Sequence, residues 1–107
     1  AAMTRTESIS AALAPDPAVI ALSGDIGIAD AAAIWDRVRR VLSTGHRELV
    51  LDLGAVTFMD STGLGTLLRI ANECPPRGIR LTLRAVSPQV RRLMEVTGTQ
   101  DIFTVDG

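Results

Sequence analysis

The sequence predicts an α/β domain in which strands and helices alternate along the chain. Short apolar runs have the character of strands, and the segments between them repeat apolar residues at the three- and four-residue spacing of a helix. Such alternation is typical of one sheet with helices packed against it. The 107 residues, 47% of them hydrophobic, are enough to bury one core but not two. We therefore expect one domain over residues 3–107, with Ala1 and Ala2 before Met3 left from an expression vector.

Three segments are predicted to be strands. Residues 18–24 (AVIALSG) and 48–54 (ELVLDLG) are apolar runs that each end at a glycine, and residues 80–86 (RLTLRAV) alternate apolar and polar side chains. The second run is apolar at nearly every position, which predicts a central strand covered on both faces. A further strand candidate, residues 7–13, precedes a turn signal at 15–17 (PDP).

Three segments are predicted to be helices. The first is expected to have Asp30 as its N-cap and carries an apolar set at helical spacing: Ala31, Ile34, Trp35, Val38, Val41 and Leu42. The second starts within residues 60–62 (DST), all acceptable caps, and stops at the prolines 75–76. The third starts at Ser87, a cap followed by a proline, and ends before Gly98.

Composition and charge argue against several functions. Eleven basic and twelve acidic residues give a formal net charge of -1, so no overall field draws the chain toward nucleic acid or an anionic membrane. Aromatic residues make up only 3%, which leaves no stacking surface for single-stranded nucleic acid. The sequence has neither an apolar run long enough to span a membrane nor a signal peptide. We therefore expect a cytoplasmic protein with protein partners, and no direct contact with nucleic acid or membrane.

The start of the second predicted helix is unusual. The segment FMDSTGLGTLL (58–68) places Gly63 and Gly65 directly after three capping residues, although each glycine in a helix costs about 1 kcal/mol relative to alanine. Positions without side chains leave bare backbone beside the Ser61 hydroxyl, where another molecule can approach, and a helix N-terminus attracts an anion. The alternative is an ordinary cap whose glycines allow close packing against a strand. The spacing leaves both interpretations open.

Catalysis has less support in the sequence. A serine nucleophile needs a positioned base, and the one histidine, His46, lies in a turn with no evident pairing to Ser61. Asp52 and Asp60 flank the end of the central strand and could hold a metal or form an acid/base pair, but isolated carboxylates are more often caps and turn residues. With one cysteine, Cys74, and no nucleotide-binding glycine motif, we expect no metal, no cofactor and no enzymatic activity.

The segment VTFMDSTGLGTLLRIAN (56–72) resembles the signature of the STAS domain family, especially the anti-sigma factor antagonists of bacteria. In that family an Asp-Ser-Ser/Thr-Gly-Leu segment opens a helix after the central strand. The order of elements agrees over nearly the whole chain, and residues 20–34 (IALSGDIGIADAAAI) are similar to the family's Gly-Asp/Glu-Leu-Asp segment. Gly27 stands where the family often has the last Asp, which weakens any role for a carboxylate there, although Asp25 remains.

The resemblance implies a single STAS-like domain with a mixed β-sheet of about four to five strands packed with α-helices. It also implies phosphorylation of Ser61, with Thr62 as a second candidate, by an anti-sigma factor with serine kinase activity. The unphosphorylated form would bind that anti-sigma factor and free a sigma factor for a stress response, and a phosphatase acting on phospho-Ser61 would reset the modified form. The residues expected to contact the partner are Asp25, Asp60, Ser61, Thr62, Gly63, Leu64 and Gly65.

Two other interpretations remain open. In the first, the chain is a non-switching STAS interaction module of a larger regulatory or transport complex, and Ser61 is only a cap. In the second, more remote interpretation, the chain is a small hydrolase. Modification of Ser61 would separate the switching protein from the fixed module, and turnover by the isolated chain would indicate the hydrolase.

Overall fold

The computed structural model describes residues 16–106, in which strands and helices alternate as predicted. The strands are β1 (Ala18–Ile26), β2 (Glu48–Met59), β3 (Arg80–Arg84) and β4 (Thr104–Asp106), and the helices are α1 (Ile28–Leu42), α2 (Ser61–Glu73) and α3 (Pro88–Thr97). Short 3-10 helices follow α2 and α3, at Pro75–Arg77 and Gln100–Ile102. The strand predicted at residues 7–13 lies outside the described residues.

The four strands form one sheet in the order β1-β2-β3-β4, and each neighbouring pair is parallel. Helix α1 packs against β1 and α2, and α3 packs against β2. The predicted α/β architecture is therefore confirmed. Within residues 16–106 the sheet is wholly parallel, so the described strands do not show the mixed sheet that the resemblance implies.

Strand β2 is the central strand that its composition predicts. It lies between β1 and β3, and the consecutive residues Leu49, Val50 and Leu51 are all buried, which requires cover on both faces. The prediction that it ends at Gly54 is wrong. The Asp52 carboxylate accepts a hydrogen bond from the Gly54 N–H at 2.9 Å, and the strand continues to Met59.

Pairing with β1 explains this extension. The register between β1 and β2 shifts between Ala21 and Ser23 and again between Gly24 and Asp25, and pairing then continues to Ile26 opposite Met59. A bulge of this kind bends a strand without ending the ladder. The extension matters because it carries β2 up to Asp60, where α2 begins.

Helix α1 begins earlier than predicted. Its N-cap is Gly27, and Asp30 lies in the first turn, so the assignment of Asp30 as N-cap is wrong. The Asp30 carboxylate instead accepts a hydrogen bond from the Gly27 N–H at 3.1 Å, and the Asp30 N–H donates to the Gly27 carbonyl at 3.1 Å. Asp30 therefore supplies the half of a capping box in which a first-turn side chain reaches back to the N-cap N–H, while Gly27 has no side chain to supply the other half.

The ends of α2 and α3 agree with the prediction. Asp60 is the N-cap of α2, which stops just before Pro75. Ser87 caps α3 by accepting a hydrogen bond from the Val90 N–H at 3.3 Å, and Gly98 ends that helix in the left-handed conformation with φ of +70°.

The core is aliphatic, as the low aromatic content predicts. Its fully buried large side chains come from the two inner strands and all three helices: Leu49, Leu51, Leu53, Leu67, Ile70, Leu83, Met94, Val38 and Val90. Strand β4 was not predicted, because three residues with one central valine are too short to show alternation. No helix within residues 16–106 is long and apolar enough to cross a membrane.

Candidate functional site

The carboxyl ends of β1 and β2 bring the predicted site residues together. Because the two strands are parallel, they end at the same edge of the sheet, with Asp25 opposite Phe58 and Ile26 opposite Met59. Helix α1 starts after the first strand, and α2 starts after the second. Loops at the carboxyl edge of a parallel sheet are a common location for binding sites.

Asp60 connects this edge to the start of α2. Its Oδ1 atom accepts a hydrogen bond from the Gly63 N–H at 2.9 Å, and its own backbone N–H donates to the Ile26 carbonyl at 3.2 Å. The first contact satisfies one of the unpaired amides of the helix, which is worth about 1 kcal/mol. The second holds the helix start against the end of β1.

With Asp60 as the cap, Ser61 has no capping role. It is the first residue of α2, and both Ser61 and Thr62 are exposed. The Ser61 hydroxyl therefore lies at the positive end of the helix dipole and is accessible to another molecule.

The structure assigns different roles to the two glycines. Gly63 is buried, and a Cβ atom at that position would lie 2.5 Å from the Ile26 carbonyl oxygen and 2.9 Å from the Met59 Cγ. The expectation that Gly63 is bare for the approach of a partner is therefore wrong, because the position is filled by β1. Gly65 is exposed, and a Cβ there would meet no described atom within 4 Å.

The seven residues expected to contact a partner thus separate into two groups. Those that are exposed are Asp25, Ser61, Thr62 and Gly65. Those that are buried are Gly63 and Leu64, while Asp60 is partly buried under its cap contacts. The buried residues can affect a partner only by holding the exposed ones in place.

Gly27 lies directly beside the Asp60 cap. A Cβ atom at Gly27 would come within 2.9 Å of Asp60 Oδ2, so a longer side chain would press on the capping carboxylate. An aspartate, the residue that the resemblance leads one to expect there, would bring a second carboxylate to the same place. The carboxylate of Asp25 is instead exposed at the sheet edge, where it accepts a hydrogen bond from the Thr57 hydroxyl at 2.8 Å.

The residues considered for catalysis do not gather at Ser61. Nδ1 of His46 lies 3.5 Å from Asp16 Oδ1, at the opposite end of β2 from Ser61. Asp52 and Asp60 are eight residues apart along the extended strand, which places them roughly 25 Å from each other. No group of three or more acidic, histidine or cysteine side chains within residues 16–106 could hold a metal ion.

Within residues 16–106, two titratable groups outside the site have shifted pKa values. Hydrogen bonding from the backbone N–H of Arg47 lowers the pKa of Asp16, and a second bond from Glu48 N–H and the nearby His46 act in the same direction. Burial raises the pKa of the Cys74 thiol, which keeps it protonated and unreactive.

An apolar groove adjoins the start of α2, and the sequence prediction missed it. The groove has a volume of about 420 Å³ and lies between the end of β2 and α3; it is lined by Phe58, Met59, Asp60, Gln89, Arg92, Leu93 and Val96. Phe58 is 55% exposed and Val96 is 75% exposed. The sequence does contain one indication of this groove. Val96 is apolar but does not share the face of α3 that carries the buried residues Val90 and Met94.

The parallel α/β fold and the serine exposed at a capped helix start define a STAS-type domain. The family model described as "Mlab, STAS domain" matches residues 9–104, and the chain therefore belongs to the STAS domain family.

Similar proteins include several anti-sigma factor antagonists. BtrV of Bordetella bronchiseptica, named as such an antagonist, is 30% identical over 87 residues, which cover 81% of this chain and 75% of BtrV. The solved structure of an anti-sigma factor antagonist from Mycobacterium paratuberculosis has a TM-score of 0.72 at 29% identity, covering 81% of this chain and 74% of that one. The Bacillus cell fate determinant SpoIIAA in its phosphorylated form has the same fold, with a TM-score of 0.64 at 22% identity over 83% of this chain and 81% of that one.

Proposed function

We propose that this chain is an anti-sigma factor antagonist that is switched off by phosphorylation of Ser61. In its unphosphorylated form it binds an anti-sigma factor and so releases a sigma factor. The observation that carries the proposal is that Asp60 caps α2, which leaves Ser61 exposed at the helix start without a structural task. The names of BtrV and the Mycobacterium paratuberculosis protein support the role, and SpoIIAA offers a precedent for a phosphorylated form.

A phosphate on Ser61 would act on the interface rather than on the fold. A phosphoserine carries about -1.5 to -2 charges, against a formal charge of -1 for the whole chain. The dipole and free amides of α2 favour an anion at that position, so the domain need not unfold. A partner surface fitted to the neutral hydroxyl would instead face a dianion, and an uncompensated charge in a desolvated contact costs several kcal/mol.

The proposal implies two enzymes as partners. An anti-sigma factor with serine kinase activity modifies Ser61, and a phosphatase acting on phospho-Ser61 restores binding. Thr62 is also exposed and is the second candidate for modification. The chain itself supplies binding and no catalysis, and we place it in the cytoplasm, where ATP and RNA polymerase are available to its partners.

The test uses purified anti-sigma factors of the kinase type encoded in the same genome as this chain. Each is incubated with ATP and the wild-type chain, Ser61→Ala or Thr62→Ala, and the products are examined by intact mass. We expect labelling of the wild type and of Thr62→Ala but not of Ser61→Ala. Full labelling of Ser61→Ala would move the site elsewhere, and undiminished binding of the phosphorylated chain would favour the fixed, non-switching module.

A further inference from the structure

The exposed residues at the start of α2 are too small to form an interface alone. Ser61, Thr62 and Gly65 carry little side-chain area, whereas a stable protein interface buries about 800 Å² on each partner. Most of the binding energy in such interfaces comes from a few large residues, with aromatic residues and arginine enriched among them. A partner that contacts Ser61 must therefore also cover a neighbouring surface that has such residues.

The groove between β2 and α3 has this character and is continuous with the site. Asp60 lines the groove and also caps the helix that begins at Ser61. Phe58 and Val96 expose apolar side chains in it, although Val90 and Met94 on the same helix already form the core contact of α3. Exposed large apolar side chains that gather in one depression commonly mark an interaction surface.

We propose that this groove is the anchor site for the anti-sigma factor, and that it takes an amphipathic segment of that protein. This inference rests on the function proposed above. Phe58, Leu93 and Val96 accept apolar side chains of the segment, and Arg92, which also lines the groove, offers a positive charge for an acidic side chain of the segment. Ser61 then acts as the switch at one edge of a contact whose affinity comes from the groove.

If the groove provides the affinity and Ser61 provides the switch, variants of the groove and variants of Ser61 should behave differently. Loss of an anchor side chain weakens binding of the unphosphorylated chain but leaves the Ser61 hydroxyl and its surroundings intact. Anchor variants should therefore raise the KM for phosphorylation by the anti-sigma kinase while kcat stays unchanged, because the contact is the same before and during the reaction. A change that reached Ser61 itself would lower kcat.

The experiment titrates the purified anti-sigma kinases by calorimetry with Phe58→Ala, Val96→Ala and Arg92→Glu. Matched controls are Ile102→Ala and Val19→Ala, since these two side chains are 54% and 50% exposed and do not line the groove. We expect each groove variant to weaken binding about tenfold or more, as for central interface residues, and the controls to bind as the wild type does. Phe58→Leu should retain most of the affinity, and circular dichroism identifies any variant that fails to fold.

The salt dependence tests the charge. Arg92→Glu should lose affinity most at low ionic strength, because the new repulsion is screened by salt, whereas the loss for Phe58→Ala should be insensitive to salt.

The possible failures are distinguishable. If Phe58→Ala and Val96→Ala bind as the wild type does while Ser61→Asp is weakened, the anchor is wrong and the switch stands. Groove variants that weaken binding, with undiminished binding of both Ser61→Asp and the Ser61-phosphorylated chain, would support the anchor and remove the switch. If Phe58→Ala instead converts a wild-type dimer to a monomer in sedimentation, the groove holds a second copy of the chain and the anchor proposal is overturned. Failure of the wild type to bind any kinase of the panel would overturn both proposals.

Discussion

Alanine at Gly63 and alanine at Gly65 should change stability in opposite directions. In an unobstructed helix either substitution would stabilise by up to about 1 kcal/mol, because glycine has the greater conformational freedom to lose. At Gly63, however, the new Cβ would lie 2.5 Å from the Ile26 carbonyl oxygen, well inside contact distance. The start of α2 must then move away from β1.

The magnitude follows from what this movement breaks. Overpacking a well-filled site costs about 1–3 kcal/mol, and the hydrogen bond from the Asp60 N–H to the Ile26 carbonyl, worth about 1 kcal/mol, is weakened as the helix shifts. After the gain in helix propensity is subtracted, Gly63→Ala should destabilise by about 1–3 kcal/mol. Gly65→Ala meets no described atom within 4 Å and should stabilise by about 0.5–1 kcal/mol.

Urea unfolding of the two variants and the wild type measures this difference in the free energy of unfolding. In thermal unfolding, each kcal/mol should shift the Tm by about 4–8 °C. Gly65→Ala is the matched control, since it makes the same chemical change two residues further along the same helix. A Gly63→Ala protein as stable as the wild type would refute the reasoning, because it would mean that the end of β1 does not confine α2.

Three further predictions concern the surroundings of the site. Asp60→Ala should lower the free energy of unfolding by about 1 kcal/mol through loss of the cap, and Asp60→Asn should recover most of it; equal losses in chemical denaturation would contradict this. Gly27→Asp should destabilise more than Gly27→Ala in urea unfolding, because it brings a second carboxylate beside that of Asp60, and the difference should shrink as the ionic strength rises; a difference that is independent of salt would count against this reasoning. The lowered pKa of Asp16 means that its carboxylate contributes stability above its ordinary pKa of 3.8 and loses it as the pH falls through the lower, folded-state pKa. In Asp16→Asn, the free energy of unfolding should therefore fall less steeply as the pH is lowered through the acid range. An unchanged slope would show that other carboxylates determine the loss of stability in acid.

The elements that the sequence predicted correctly are those set by local chemistry. Ser87 and Gly98 bound α3 because a capping hydroxyl and a left-handed glycine act within one turn of the chain. Asp60 caps α2 for the same reason. The Asp30 error was also local, since a carboxylate in the first turn and a carboxylate at the N-cap give similar patterns in sequence.

The features that the sequence did not predict depend on contacts distant along the chain. Strand β2 continues past Gly54 because the second half of β1 is available to pair with it. Gly63 is explained by the Ile26 carbonyl, and the groove forms only where α3 comes beside Phe58. The motif places Ser61 at the start of a helix. The spacing of residues along the chain, however, does not show which distant residue fills the space beside each glycine.

Because Asp60 caps α2, the residues of the Asp-Ser-Thr-Gly segment have different tasks, and each gives different information about a sequence that contains the segment. Asp60 and Gly63 both serve the fold itself, through the cap and the close approach of β1. The Ser61 hydroxyl does not, so a sequence could replace Ser61 with alanine, keep the same architecture and still match the rest of the segment. Under the proposed function, such a protein would keep the binding surface and lose the site of phosphorylation. In sequences of this type, the aspartate and the glycine therefore indicate the architecture, and the two hydroxyl residues between them are the positions to compare when regulation is in question.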